Sequence, residues 1–199
     1  MGRVEPQTAG ELAHGAFFAR GGTARGLGLS AAASEQRNSA APTRSAGWPQ
    51  RFIGVRSDDK IQVALQICRN ATRAITFVRT THGADRLVRQ LGELGLSATA
   101  MHGRMAQNKR ERSLAAFTSG ASPVLVATNV AARGLHIPDV SHVFNFDLPQ
   151  DPEDYVHRIG RTARAGAEGD AISFACEQYA MHLPDIETYI DQKLPRGTI

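Results

Sequence analysis

The sequence predicts an α/β fold, a doubly wound and mostly parallel sheet flanked by helices. Three observations predict it. Short β-branched runs alternate with amphipathic stretches from Trp48 onward. Polar clusters follow the apolar runs at Arg79-Thr80, His102-Gly103-Arg104, Thr128-Asn129 and Asp147 onward, as expected where loops leaving the carboxyl ends of parallel strands carry the chemistry. The 199 residues are 42% hydrophobic and 21% charged, a globular composition with room for one ordinary domain plus a tail.

Residues 1–47 are rich in Gly, Ala, Ser and Arg without sustained periodicity, and are read as a disordered leader. The folded domain is assigned to residues 48–199. Phe52–Val55 reads as an edge strand. Ser57 is placed as the N-cap of a helix with Asp58 and Asp59 in its first turn, and Ile61, Leu65 and Cys68 mark its inner face. Ala74–Val78 reads as a buried strand. Thr81–Leu94 reads as a helix with Leu87, Leu91 and Leu94 along one face and Gly95 as its stop. Ser97–Met101 is a strand, and Gln107–Phe117 a helix with Leu114 and Phe117 inward. Val124–Ala127 is a strand leading to a short helical segment near Val130–Arg133. Val143–Phe146 is a strand, Asp151–Arg164 an arginine-bearing element, Ala171–Ala175 a strand, and Tyr179–Ile190 a closing helix interrupted near Pro184.

The net charge of +4 is spread thinly. Residues 1–47 carry five arginines against three glutamates, and the remainder 18 basic and 16 acidic side chains. A nucleic-acid surface would therefore be a local patch. Cys68 and Cys176 are far apart with no C-x-x-C, which gives neither a zinc site nor a disulfide framework and fits a reducing compartment. No apolar run approaches the ~18 residues of a membrane span. Glu5, Glu11 and Glu35 weigh against a transit peptide, so a cytoplasmic protein with no membrane partner is expected.

The arginine element is the most informative. As a helix turning about 100° per residue, residues 155–164 would place His157, Arg161 and Arg164 within roughly a 60° arc, opposite Tyr155, Val156 and Ile159. Like charges at such spacings cost a helix a few tenths of a kcal/mol. A face built this way suits an anion, and planar guanidinium groups match phosphate oxygens. A solvated basic face is the competing reading.

Val126–Ile137 followed by His157–Arg164 resembles the C-terminal RecA-like domain of DEAD-box RNA helicases. Phe77-Val78-Arg79-Thr80 resembles that family's fourth motif, and Met101–Arg110 its H-G and Q-x-x-R elements. The order and spacing match over residues 50–176. Gly134–Pro138, Asp154–His157, Ala175–Ala180 and Leu183–Glu187 are further similar to the RhlB-type bacterial members of the RNA degradosome.

The resemblance implies an ATP site, with Mg2+, split between two RecA-like domains. This half would supply Arg161 and Arg164 as arginine fingers, His157 as a coupling residue, and Gly134 and His136 on the nucleotide side. RNA would be held by its backbone through Arg79, Thr80, Gly103, Gln107, Arg110 and Thr128, without sequence readout. The implied partners are RNA, an N-terminal RecA-like domain in cis or trans, and a degradosome scaffold; the implied role is RNA unwinding or remodelling in RNA decay. Taken singly, Thr80 and Thr128 also read as helix caps, and Gln107 and Arg110 as a solvated helix face. Two positions depart from the family: Asn129 and His136 stand where most members carry Asp. An imidazole can still hydrogen-bond a hydroxyl. Ala163 replaces a common glycine. Gly160, placed mid-element, costs about 1 kcal/mol against alanine, which a close approach of the partner domain would explain.

None of the three lysines follows a glycine, and no Asp-Glu dipeptide occurs. The phosphate-cradling G-x-x-x-x-G-K-[ST] loop and the magnesium-binding box are therefore absent from this chain. Little or no ATPase activity is expected of it alone, with no cofactor held by it alone. The alternative reading is a stand-alone RecA-like module that binds RNA or a scaffold without catalysis. An unrelated nucleotide transferase is disfavoured by the missing glycine-rich loop.

Overall fold

Seven short strands form one sheet in the order Ala98–Met101, Val124–Ala127, Ala74–Phe77, His142–Asn145, Asp170–Ala175, Gln50–Gly54, Arg196–Thr198, every pairing parallel. The computed structural model describes residues 49–132, 137, 140–162 and 169–198. The expected leader, the domain boundary at residue 48, and Gly134, His136 and Arg164 lie outside the described residues.

The elements are β1 (Gln50–Gly54), α1 (Lys60–Asn70), β2 (Ala74–Phe77), α2 (Thr81–Glu93), β3 (Ala98–Met101), α3 (Gln107–Thr118), β4 (Val124–Ala127), α4 (Asn129–Ala132), β5 (His142–Asn145), α5 (Pro152–Ile159), β6 (Asp170–Ala175), a 3₁₀ turn (Ala180–His182), α6 (Leu183–Tyr189) and β7 (Arg196–Thr198). Strands buried on both faces read as continuous apolar runs, which is how Ala74–Phe77 and Val124–Ala127 appear. Alternation splits their side chains between two cores. Val124, Val126, Phe144, Ile172 and Phe174 pack with α1 and α2 on one face. Ile75, Phe77, Leu125 and Val143 pack with α3 and α4 on the other, where Tyr155 and Ile159 of α5 and Ile186 of α6 also lie against Phe52 and Ala171.

The helix ends follow from sequence. Thr80 caps α2 by accepting from the Gly83 amide at 2.9 Å, and a Cβ on Gly83 would stand 3.0 Å from that hydroxyl. Gly95 takes φ +80°; its amide bonds Gly92 O while the Leu96 amide bonds Leu91 O, the Schellman closure that the left-handed residue permits. Asp151 caps α5 through Glu153 N at 2.9 Å, with Pro152 opening the helix and Glu153 and Asp154 in its first turn.

Three expectations need correction. β1 is internal, because β7 adds outside it; Arg196–Thr198 is too short and polar to read as a strand until β1 presents its open side. Ser57 does not cap α1: the helix begins at Lys60 with no side-chain cap, and Ser57 donates instead to Glu177 through both its hydroxyl (2.9 Å) and its amide (3.2 Å). The arginine element is not helical through residue 164. α5 stops at Ile159, with Gly160 as its C-cap, because Arg161 N and Thr162 N turn back onto Arg158 O and Ile159 O. Gly160 is therefore not mid-element.

Candidate functional site

The parallel ladder continues past the strand ends. Met101 and Phe77 both pair with Ala127, and Phe77 pairs with Asn145 on its other side. Thr128 N then bonds Met101 O (3.2 Å), Val78 N bonds Ala127 O (3.0 Å) and Asp147 N bonds Phe77 O (3.2 Å). These bonds bring the chain leaving β3, β4, β2 and β5 onto one carboxyl edge. Gly103, Thr128, Arg79, Thr80 and the first turn of α3 with Gln107 and Arg110 thus share a rim, as the spacing of polar clusters predicted.

The rim groups are mostly exposed and locally satisfied. Thr80 spends one acceptor on its cap, which leaves the hydroxyl proton to donate to a ligand oxygen. Thr128 is buried, and its carbonyl receives Ala131 N and Ala132 N at 3.1 Å each, so it starts α4. Thr80 caps its helix with its side chain, whereas Thr128 opens α4 through its backbone carbonyl. Gln107 Nε2 donates to Glu111 Oε1 at 2.9 Å on the exposed face of α3. Gly103 is exposed, and Arg110 is half-buried. His102, just before Gly103, is buried with Nε2 3.1 Å from Asp85 Oδ1. The Arg79 amide donates to Asp147 Oδ2 at 3.0 Å. Burial and the Asp147 charge push the Tyr179 phenol up, and the neighbouring Arg79 guanidinium pulls it back.

Behind the rim lies a charge network that the sequence did not reveal. Arg158, 4% exposed, donates from Nε to Asn129 Oδ1 (2.6 Å), and from Nη1 to Asp147 O (2.6 Å) and Asn145 Oδ1 (3.2 Å). Its guanidinium carbon sits 5.2 Å from the Phe77 ring centre. Burial pulls this guanidinium down to about 10, against the charges of Asp154 and Asp147 that hold it up. Asn129 Nδ2 donates to Asp154 Oδ2 at 2.5 Å, so the amide bridges a carboxylate and a cation, a double role an aspartate could not play. Lys60, 5% exposed, bonds Asp147 Oδ1 at 2.7 Å with its ammonium 4.2 Å from the Phe146 ring centre. The signal for Arg158 in the sequence was only that it shares a helix side with Tyr155 and Ile159.

α5 runs back from the rim. Eight residues span about 12 Å, and Thr162 Oγ1 donates to Val140 O (2.9 Å), beside the amino end of β5. Arg161 therefore follows the far end of α5 from the strand-end loops. A small open cleft nonetheless joins the two ends, lined by Phe77, Asn129, Asp154, His157, Arg158 and Arg161. His157 is exposed, with Nε2 3.9 Å from Glu153 Oε1. His157 and Arg161 share this cleft; Arg164, Gly134 and His136 lie outside the described residues. The polar lining and the Arg161 guanidinium fit a phosphate-bearing ligand from one side. Among the described residues no three His, Cys, Asp or Glu side chains gather to hold a metal ion, and no helix is long and apolar enough to cross a membrane.

Comparison with known proteins gives a consistent result. The helicase conserved C-terminal domain matches residues 59–166. The chain is similar to ATP-dependent RNA helicase RhlB of Shewanella frigidimarina, 53% identical over 140 residues, covering 69% of this chain and 32% of that protein. It is 51% identical over 148 residues to RhlB of Xanthomonas oryzae pv. oryzae, covering 73% and 26%. The chain thus spans about a third or less of the length of these curated relatives. Among solved structures it is similar to the E. coli DEAD-box protein SrmB bound to regulator of ribonuclease activity A, with TM-score 0.74 and 39% identity over 77% of this chain and 92% of that one. It is also similar to S. cerevisiae Dbp5 bound to RNA and ADP BeF3, with TM-score 0.71 and 35% identity over 76% and 41%.

Proposed function

This chain belongs to the helicase conserved C-terminal domain family, as a RecA-like domain of the DEAD-box, RhlB-like type, and we propose that it works as the C-terminal half of an ATP-dependent RNA helicase. The single observation that carries this reading is the shared carboxyl rim, where groups following three adjacent strands and the first turn of α3 come together, most of them exposed, beside the cleft that Arg161 lines.

Arg79, Thr80, Gly103, Gln107, Arg110 and Thr128 grip successive RNA phosphates and sugars through amides, hydroxyls and cations, which positions a strand without reading its bases. Arg161, with Arg164 beyond the described residues, faces ATP held by an N-terminal RecA-like domain and stabilises charge on the transferring phosphoryl group. His157 meets that domain across the cleft, and Gly134 and His136 complete the nucleotide side. ATP with Mg2+, bound on the side of an N-terminal RecA-like domain, would supply the free energy for RNA remodelling. The protein acts in the cytoplasm, within a degradosome assembly devoted to RNA decay. The domain begins near residue 48, with residues 1–47 as its leader.

Titration of fluorescently labelled oligouridylate tests the RNA half. The chain binds it with an affinity that falls steeply with salt, and Thr80→Ala and Arg110→Ala each weaken binding several-fold. Unchanged affinity in both variants sinks the reading. Joining the chain to an N-terminal RecA-like domain that carries a P-loop tests the nucleotide half. In that two-domain protein Arg161→Lys keeps the charge, loses the bidentate fork and lowers RNA-stimulated ATP turnover while sparing RNA binding. RNA binding with turnover indifferent to Arg161 would leave the non-catalytic RNA-binding module as the better account.

A further inference from the structure

The rim and the arginine turn lie at opposite ends of α5, yet one unbroken line of bonds connects them. The Arg79 amide, at the start of the rim loop that Thr80 caps, bonds Asp147 Oδ2 at 3.0 Å. Asp147 passes the contact on through its own main chain, whose carbonyl takes Arg158 Nη1 at 2.6 Å. The Arg158 carbonyl in turn accepts the Arg161 amide at 3.1 Å. Lys60 fixes the second Asp147 oxygen at 2.7 Å with 6% and 15% of the two side chains exposed, so the carboxylate has little freedom to swing. Asn129, next to Thr128 on the rim, fastens Arg158 Nε as a second point of entry.

We propose that Asp147 is a positioning residue that couples the RNA-facing loop at Arg79 to the turn bearing Arg161, through the buried Arg158 side chain. The inference rests on the RNA reading above and adds to it a route inside this one domain. RNA held at Arg79 and Thr80 fixes the Asp147 carboxylate, which sets the carbonyl that Arg158 grips and so steadies the hydrogen-bonded turn at Gly160–Thr162. By linkage, whatever restrains Arg161 favours the RNA-bound loop to the same extent.

Residue-resolved amide hydrogen exchange of this chain, with and without saturating oligouridylate, tests the route. In the wild type, RNA slows exchange of the Arg161 and Thr162 amides several-fold as well as those of the rim. In Asp147→Asn the side-chain oxygen goes to the Lys60 ammonium and an NH2 group faces the Arg79 amide, donor against donor. RNA still binds at saturation, but slowing at Arg161 and Thr162 is lost while slowing at the rim remains. Should that variant unfold, Lys60→Met/Asp147→Ala removes both buried charges, leaves the exposed Arg79 amide to water, and carries the same expectation. A merely structural Asp147 would raise exchange throughout and leave the RNA-induced slowing of the turn intact, which overturns the proposal. RNA binding to the wild type with no change at Arg161 overturns the proposal alone; no RNA binding at all removes the RNA reading together with it.

Discussion

The carboxyl rim and the α5 network are a few ångströms apart but built on opposite principles. Rim groups such as Thr80 and Gln107 are exposed and bonded within their own helix, to Gly83 and Glu111. Network groups are buried and bonded across the chain: Arg158 reaches residues 29, 13 and 11 positions away. A group with only local bonds can be offered to a ligand at small cost. A group with distant bonds holds elements in place, and removing it disturbs the fold. The difference separates contact from positioning, and stability measurements can break or confirm it.

The largest effect is expected at Arg158. Arg158→Met leaves Asn129 Oδ1, Asn145 Oδ1 and the Asp147 carbonyl without their donor, and strips a cation from near Asp154 and Asp147. Breaking one side of a buried charged network costs about 3–5 kcal/mol, read as a lower denaturant midpoint at unchanged slope. A loss below about 1 kcal/mol would place Arg158 with ordinary surface residues and erase the contrast. Lys60→Met should follow at about 2 kcal/mol, because Asp147 loses its ammonium partner while keeping the Arg79 amide, and the contact with the Phe146 ring is lost.

Rim substitutions should cost less stability and more binding. Thr80→Ala removes the α2 cap at about 1 kcal/mol and also removes the hydroxyl proton that the proposed RNA contact would use. Thr80→Ser restores both. A serine variant that recovers stability but not RNA affinity would show that the hydroxyl acts only as a cap.

This same division governs what the sequence disclosed. Strands such as Ala74–Phe77 and Val124–Ala127, the Thr81–Glu93 helix and its Gly95 stop are set by local apolar pattern and turn chemistry, so they were legible. The rim was legible because parallel strands deliver their loops to one edge. β7 and the Ser57–Glu177 bond depend on partners far along the chain, and no local pattern encodes them. Arg158 was missed for a sharper reason: helical spacing put it on the apolar side, where a charge reads as an error unless its distant acceptors are known. Spacing also overran the end of α5, since Val156–Arg164 contains no proline and Gly160 was read as a mid-element glycine kept for a close approach of the partner domain, whereas it closes the helix.

The smallest expected effect lies at the amino end of β5, beside the turn that closes α5 but at the opposite end of the strand from the rim, and serves as the rim's control. Burial holds the His142 imidazole below its ordinary 6.5, with Asp170 pulling the other way from 3.7 Å. Its ring stacks on Phe144 at 5.9 Å, and Nδ1 lies 2.9 Å from Ser141 Oγ. The folded state therefore resists a proton that the unfolded chain accepts once the pH falls through 6.5. Between that value and the lower folded-state value the unfolded state binds more protons, so stability declines on acidification and recovers as the pH is raised. His142→Phe keeps the stacking and removes the titration, and its stability should change less with pH across that window than the wild type's. RNA affinity, measured at neutral pH where this imidazole is uncharged, should be the same in both chains. A flattened stability profile accompanied by lost RNA binding would mean that the amino end of the sheet communicates with the rim, and that contact and positioning are not segregated as the bonds around Asp147 and Arg158 imply.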